Sequence, residues 1–338
     1  MNAPRLPGLQ VLRALAAAMV LVGHVLAEAE HYFALALPGD AVPWTRGVDI
    51  FFVISGFVIT LSATRLAGQP GTFLFRRLMR VVPLYFLFTT LMVLTLILLP
   101  GGAKETTLDP AQILSSYAFF PYERLDGRIA PVLSLGWTLN YEVFFYALAA
   151  LCLALPRPLL AVSVLLLALA TLGLVVQFDS PQLAFWTNPI ILEFVFGIVL
   201  ARIWHRGWRA PHMGAACVGV CVGLGLLIIL DPTPLPRCLA AGVPAMIIVA
   251  SGTLLCPIRA MPGMIWGDAS YALYLSHRFA LRASTLLLLP LLPATLMGAA
   301  VYTVTVCALA MAVGLLTHLW VERPMMRALS PAAKGVAA

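Results

Sequence analysis

Apolar residues run along this chain in blocks long enough to cross a lipid bilayer, with polar residues gathered between them. A helix needs roughly 20 residues to span the hydrocarbon layer. On that measure the pattern predicts about ten helices: 8–28, 47–64, 82–100, 134–155, 158–177, 184–202, 213–230, 237–256, 267–289 and 295–320. Lipid offers no partner to a free backbone N–H or C=O, so each block reads as an α-helix. The expected fold class is therefore an all-α, polytopic membrane protein. No internal repeat is visible, and 1–324 reads as one transmembrane domain. Residues 325–338 follow Pro324, are rich in small side chains, and read as a short cytoplasmic tail.

Composition sharpens this picture. Of 338 residues, 62% are hydrophobic and 10% are charged, against about a quarter charged in soluble domains. Positive residues set the orientation, because short cytoplasmic loops collect Lys and Arg. With the N-terminus inside, Arg5, Arg13, Arg65, Arg76, Arg77, Arg80, Arg157, Arg202, Arg206, Arg209, Arg259, Arg323, Arg327 and Lys334 fall at or near the inner side. Arg46, Lys104, Arg124, Arg128 and Arg237 fall outside, while Arg278 and Arg282 lie within the ninth span. Fourteen against five supports cytoplasmic N- and C-termini, and ten spans return the chain to the side on which it began. The net charge of +7 is thus mostly inner-face anchoring. Charges scattered over separate short loops do not build a nucleic-acid surface.

Two further readings follow from local pattern. Ala27-Glu28-Ala29 resembles a signal-peptidase site, but the preceding apolar run is broken by His24 and followed by nine more spans. The first helix is therefore expected to be retained. The six cysteines (Cys152, Cys217, Cys221, Cys238, Cys256 and Cys307) form no CxxC pair and lie in or at the edges of apolar spans. They read as small packing groups, with no metal implied.

Several polar residues sit where a lipid-facing helix does not tolerate them. Arg13 and His24 are eleven residues apart in the first span. At 3.6 residues per turn this is almost three turns, which puts both on one helix face, roughly 16 Å apart along the axis. Asp49 opens the second span, Glu142 lies in the fourth, Glu193 in the sixth, and His277 with Arg278 in the ninth. A lone charge in the membrane costs a few kcal/mol even on lenient scales, so these groups are expected to face inward and pair, or to line a water-filled cavity. The polar stretch 101–133, with Lys104, Glu105, Asp109, Glu123, Arg124, Asp126 and Arg128, is long for a connector. It reads as a cap over an outer cavity, as part of an acceptor-binding surface, or as a solvated link.

Taken in order, these residues resemble the membrane acyltransferase-3 family, which O-acetylates bacterial polysaccharides and other envelope or secreted molecules. Arg13 and His24 reproduce its arginine–ten residues–histidine signature. Gly47-Val48-Asp49-Ile50-Phe51-Phe52-Val53-Ile54-Ser55-Gly56-Phe57 matches its second-span hallmark. Arg77-Leu78-Met79-Arg80 with Val81-Val82-Pro83 matches its arginine pair and proline. Trp137-Thr138-Leu139-Asn140-Tyr141-Glu142 with Phe145-Tyr146 matches its tryptophan–glutamate helix. Tyr271 to His277 and Glu322-Arg323-Pro324 match its closing segments. The short form, without an appended extracellular domain, is most similar to the exopolysaccharide acetyltransferase branch.

The resemblance implies acetyl-CoA as acyl donor, a saccharide hydroxyl as acceptor, and a place in the bacterial inner membrane. On that reading His24 is the general base, its imidazole suited by a pKa near ambient pH. The alternatives are an acyl carrier or a structural bond between helices. Arg13, Arg77 and Arg80, with Arg76 beside them, hold CoA phosphates through bidentate contacts; the alternative is positive-inside anchoring. Asp49 and Glu142 orient His24 or bind the acceptor; the alternative is an ion pair with Arg46 or with the outer loop, above all for Asp49 at the helix mouth. His277 positions a thioester carbonyl or a substrate hydroxyl. Ser55-Gly56 reads as a close helix contact. Trp137, Tyr141, Tyr271 and Tyr274 either stack on a sugar or pack internally. The rival function is a transporter or flippase of a saccharide or lipid-linked intermediate, which predicts pseudo-symmetric halves with broken helices.

Overall fold

Proline and short polar side chains punctuate the chain into helices. In the computed structural model, α1 (Pro7–Phe33), α3 (Pro70–Leu98), α4 (Pro110–Tyr117), α6 (Pro158–Val175) and α7 (Pro181–Trp186) each begin on proline. There its missing N–H and preset φ do no harm. The others are α2 (Gly47–Arg65), α5 (Trp137–Cys152), α8 (Leu192–His205), α9 (Met213–Leu230), α10 (Val243–Ala250), α11 (Met264–Asp268), α12 (Ser270–Leu288), α13 (Leu296–Thr317) and α14 (Arg323–Ala328). Side chains cap several starts: Asp109 accepts from Ala111 N, His212 from Ala215 N, and Thr295 from Gly298 N. The structure describes residues 6–37, 39, 42–99, 108–256 and 263–329. Arg5, Lys104, Glu105, Arg259, Lys334 and the end of the predicted tail lie outside them.

Among the described residues there is no strand, only an isolated antiparallel bridge between Glu123 and Ile129. Eight helical segments are long and apolar enough to cross a membrane. Two of the ten predicted spans are not among them. Span four is α5, whose 16 residues reach about 24 Å at 1.5 Å per residue. Span nine is α12, which is 19 residues long but carries His277, Arg278 and Arg282. These two helices carry three of the polar residues singled out above, Glu142, His277 and Arg278.

The chain forms two compact units. One comprises residues up to Ile54 together with Arg202–Pro324; the other comprises Ser55–Ala201 together with the residues from Met325 on. In the first unit, α1 packs against α11, α12 and α13, and α12 and α13 lie along one another. Ala17, Leu21, Val25, Ala29 and Phe33 repeat every four residues on α1 and form a ridge. It is buried against Leu273, Ala280 and Leu281 of α12 and Ala299, Tyr302, Val306 and Ala310 of α13. Wide π-turns, Cys238–Gly242 and Ser251–Leu255, flank α10.

In the second unit, α5 lies between α3 and α6. A Cβ on Gly56 would stand 2.2 Å from the Phe194 carbonyl oxygen, so only glycine lets α2 and α8 approach this closely. The segment after residue 107 is folded back on itself. Ser116 Oγ accepts from Val132 N at 2.9 Å, Gln112 Nε2 donates to Ala130 O at 3.2 Å, and Tyr85 donates to Ser116 O at 3.2 Å. The described part is a built element rather than a loose connector.

Candidate functional site

The core ridge on α1 decides where its polar residues go. With the run Ala17 to Phe33 turned inward, Arg13 and His24 keep to one partly buried face of the helix. On α12, His277 is one turn beyond the buried Leu273 and is itself only 1% exposed. The two histidines, 253 residues apart in sequence, meet: His24 Nδ1 lies 2.9 Å from His277 Nε2. Their ring centroids are 5.1 Å apart with planes inclined by 15°. That is too far for overlapping rings, which in Tyr141 and Phe185 lie 3.7 Å apart. The imidazoles therefore meet edge to edge, nearly coplanar. His277 Nδ1 sits 2.8 Å from the Tyr274 carbonyl and 3.2 Å from that of Leu273. Arg278 is near enough for its charge to bear on both rings. Further along the same two helices, Arg282 donates to the Tyr32 hydroxyl at 3.0 Å.

Asp49, at the start of α2, is fully buried and forms a two-point ion pair with Arg237, both contacts at 2.9 Å. Arg46 takes Asp231 instead, at 2.5 Å. The expected competition for Asp49 thus exists, with Arg237 in the place foreseen for Arg46. The neighbour bonded to His24 is a second imidazole.

In the second unit, Glu142 and Tyr146 are four residues apart on α5, hence on one face. Tyr146 donates to Glu142 Oε1 at 2.5 Å, and Ser55 donates to the same oxygen at 3.2 Å. The Arg77 charge bears on both Glu142 and Tyr146, and that of Arg80 on Tyr146. Within its unit, Glu142 is built into the surroundings of Arg77. Arg77 is partly buried, while Arg76 and Arg80 are exposed. Tyr141 stacks on Phe185, and Tyr274 lies edge-on to Phe51, so these two aromatics have packing partners. Glu193 is fully buried on α8.

Outside the spans, Asp109 accepts from Tyr122 and from Ala111 N, which holds its carboxyl below the usual range. Hydrogen bonds from the Arg128 side chain and backbone hold Asp126 down at about 2.

Three residues entered the site without having been read from sequence as site residues. Ser55 and Tyr146 belonged to quoted motifs, and the i, i+4 spacing of Glu142 and Tyr146 was a usable signal. Arg237 carried none beyond its charge.

The polar geometry of α1, α2, α5 and α12 sits on the segments that carry the family motifs. Residues 6–317 match the acyltransferase domain family. The chain belongs to this family. Among its relatives, the exopolysaccharide production protein ExoZ of Rhizobium meliloti is 34% identical over 315 residues, covering 90% of this chain and 94% of that one. The acyltransferase MdmB of Streptomyces mycarofaciens is 27% identical over 363 residues, 96% and 92% of the two chains. The O-acetyltransferase OatA of Staphylococcus aureus is 30% identical over 228 residues, 60% of this chain and 36% of its own. No solved structure matches. Membership in the family and the apolar helices together make this a multi-pass membrane O-acyltransferase.

Proposed function

We propose that this acyltransferase moves an acetyl group from cytoplasmic acetyl-CoA to a hydroxyl of an envelope or secreted polysaccharide, working in the bacterial inner membrane. The relatives' names support the acyl group and the acceptor class: one is an O-acetyltransferase and another an exopolysaccharide production protein. The observation that carries the reading is the His24–His277 pair, an imidazole edge held 2.9 Å from a buried partner inside a membrane protein.

His24 is the general base. It takes the proton of the acceptor hydroxyl as that oxygen attacks the thioester carbonyl. The same nitrogen then gives the proton to the departing thiolate, so one group serves both halves of the transfer. Arg13, on the same helix face about three turns toward the N-terminus, binds a phosphate of the donor. Under the positive-inside orientation this puts the phosphates at the cytoplasmic end and the chemistry deeper in the membrane. Arg77 and Arg80, with Arg76 beside them, are further donor contacts proposed from their spacing on α3, and Glu142 positions Arg77.

The test is chemical analysis of surface polysaccharide from cells carrying wild type, His24→Ala or Arg13→Ala at matched protein levels. Loss of O-acetyl in both variants is the expected result. Unchanged O-acetyl content in both removes the reading.

A further inference from the structure

We propose that His277 does not touch either substrate and instead fixes the tautomer of His24, so that His24 Nε2 carries the lone pair that accepts the hydroxyl proton. The proposal rests on the reading of His24 as general base.

The argument follows the protons. Carbonyl oxygens only accept hydrogen bonds. His277 Nδ1 lies 2.8 Å from the Tyr274 carbonyl and 3.2 Å from the Leu273 carbonyl, so in the neutral ring Nδ1 carries the hydrogen and donates. His277 Nε2 is then a bare acceptor. Among the described residues the ring atom facing it is His24 Nδ1, at 2.9 Å, which must therefore be the donor. A neutral His24 with its hydrogen on Nδ1 has its free lone pair on Nε2. Donation runs one way, from His24 to His277 and on to the backbone of α12, and leaves a basic nitrogen at its outer end. The near-coplanarity of the rings, 15°, lines up the Nδ1–H with the accepting lone pair.

Burial divides the labour. His277 is 1% exposed, with both ring nitrogens engaged by protein. His24 is only partly buried, and its Nε2 is the one nitrogen of the pair left for a reactant. When Nε2 takes the hydroxyl proton, the O–C bond forms and the C–S bond breaks. The imidazolium keeps its Nδ1–H directed at His277 throughout, and the proton on Nε2 leaves with the thiolate as the free thiol. No proton has to cross to His277. A partner that orients a catalytic imidazole in this way is a positioning residue, and losing it forfeits part of the roughly 10²- to 10⁴-fold that general-base catalysis supplies.

The experiment uses the full-length protein in membrane vesicles, with radiolabelled acetyl-CoA as donor and base-deacetylated polysaccharide from the producing cells as acceptor. Four variants are compared with wild type: His24→Ala, His277→Leu, His277→Gln and His277→Asn. A glutamine amide oxygen can reach the place of Nε2 and accept from His24; the shorter asparagine cannot, and leucine has no acceptor. The expected result is a kcat about 100-fold lower in the Leu and Asn variants, with KM for acetyl-CoA unchanged and the Gln variant within about tenfold of wild type. Equal rates for the Gln and Asn variants overturn the proposal, as does a rise in KM for either substrate with kcat intact. If the Leu variant fails to accumulate, the Gln against Asn comparison alone decides. An active His24→Ala enzyme sinks the general-base reading itself, whereas an inactive His24→Ala beside a fully active His277→Asn sinks only the positioning role.

Discussion

Asp49 and Arg237 hold each other by two parallel contacts of 2.9 Å, with the carboxylate fully sealed from solvent and the guanidinium about a third exposed. A buried charge that loses its partner is costly, and the remaining ion cannot reach water to recover. Arg237→Ala is therefore expected to destabilise the protein by about 3 kcal/mol. Arg237→Lys, which cannot match both oxygens, should fall between it and wild type. Thermal unfolding in detergent checks the order; an Arg237→Ala protein as stable as wild type would contradict the pair's structural role.

Glu142 and Arg77 should behave as a coupled pair in the second unit. Removing Glu142 takes from Tyr146 its acceptor and from Arg77 a nearby negative charge. In a double-mutant cycle of Glu142→Gln and Arg77→Gln, the effects on stability are expected to be non-additive by about 0.5–3 kcal/mol. Additive losses would mean that the two side chains act separately.

Gly56 and Gly71 make a matched test of close packing. A Cβ on Gly56 would meet the Phe194 carbonyl at 2.2 Å, while one on Gly71 meets nothing within 4 Å. Gly56→Ala should cost about 1–3 kcal/mol by forcing α2 and α8 apart. Gly71→Ala, at an open position, is expected to be neutral or mildly stabilising. Apparent melting temperatures of the two purified variants measure the difference.

Acid should open the turn at residues 122–130 only late. Asp126 titrates at about 2 in the folded protein, below the roughly 3.9 of an unperturbed aspartate. A depressed folded-state value means that its contribution is fully present above pH ~4 and is lost as the pH falls toward 2. Asp109, held low by Tyr122, works in the same direction. Limited proteolysis with pepsin should find the turn protected at pH 4 and cut at pH 2. Asp126→Asn should remove most of that difference.

Arg13 is expected to act on binding rather than on chemistry. Arg13→Ala should raise KM for acetyl-CoA at least tenfold with a smaller change in kcat, and Arg13→Lys should recover part of the loss. A fall in kcat at constant KM would move Arg13 out of the donor site.

The apolar pattern made most helices legible, because backbone groups in lipid leave one solution for a block of 20 residues. α1 begins within a residue of its predicted start and extends five residues past its predicted end. The helix-face argument for Arg13 and His24 held for the same reason: it depends on residues within one helix. Partners from distant segments were not legible. His24 and His277 are 253 residues apart, Asp49 and Arg237 are 188 apart, and neither spacing has a period to read. Charge alone suggested Arg46 as the mate of Asp49, because it is three residues away. The fold instead gave Arg46 to Asp231. α5 fell short of an ordinary span because it is only 16 residues long, and α12 because His277, Arg278 and Arg282 occupy positions that lipid contact would have given to leucine.

Segment Ser270–Leu288 carries a histidine and two arginines along its length and packs against α1 and α13. Such a stretch gains little from hydrocarbon by itself and needs a receiving surface already in place. That surface includes the opening helix, made more than two hundred residues earlier. The ribosome thus delivers the host long before the guest, and the completed protein depends on the first helix still being open to its partner when synthesis nears its end.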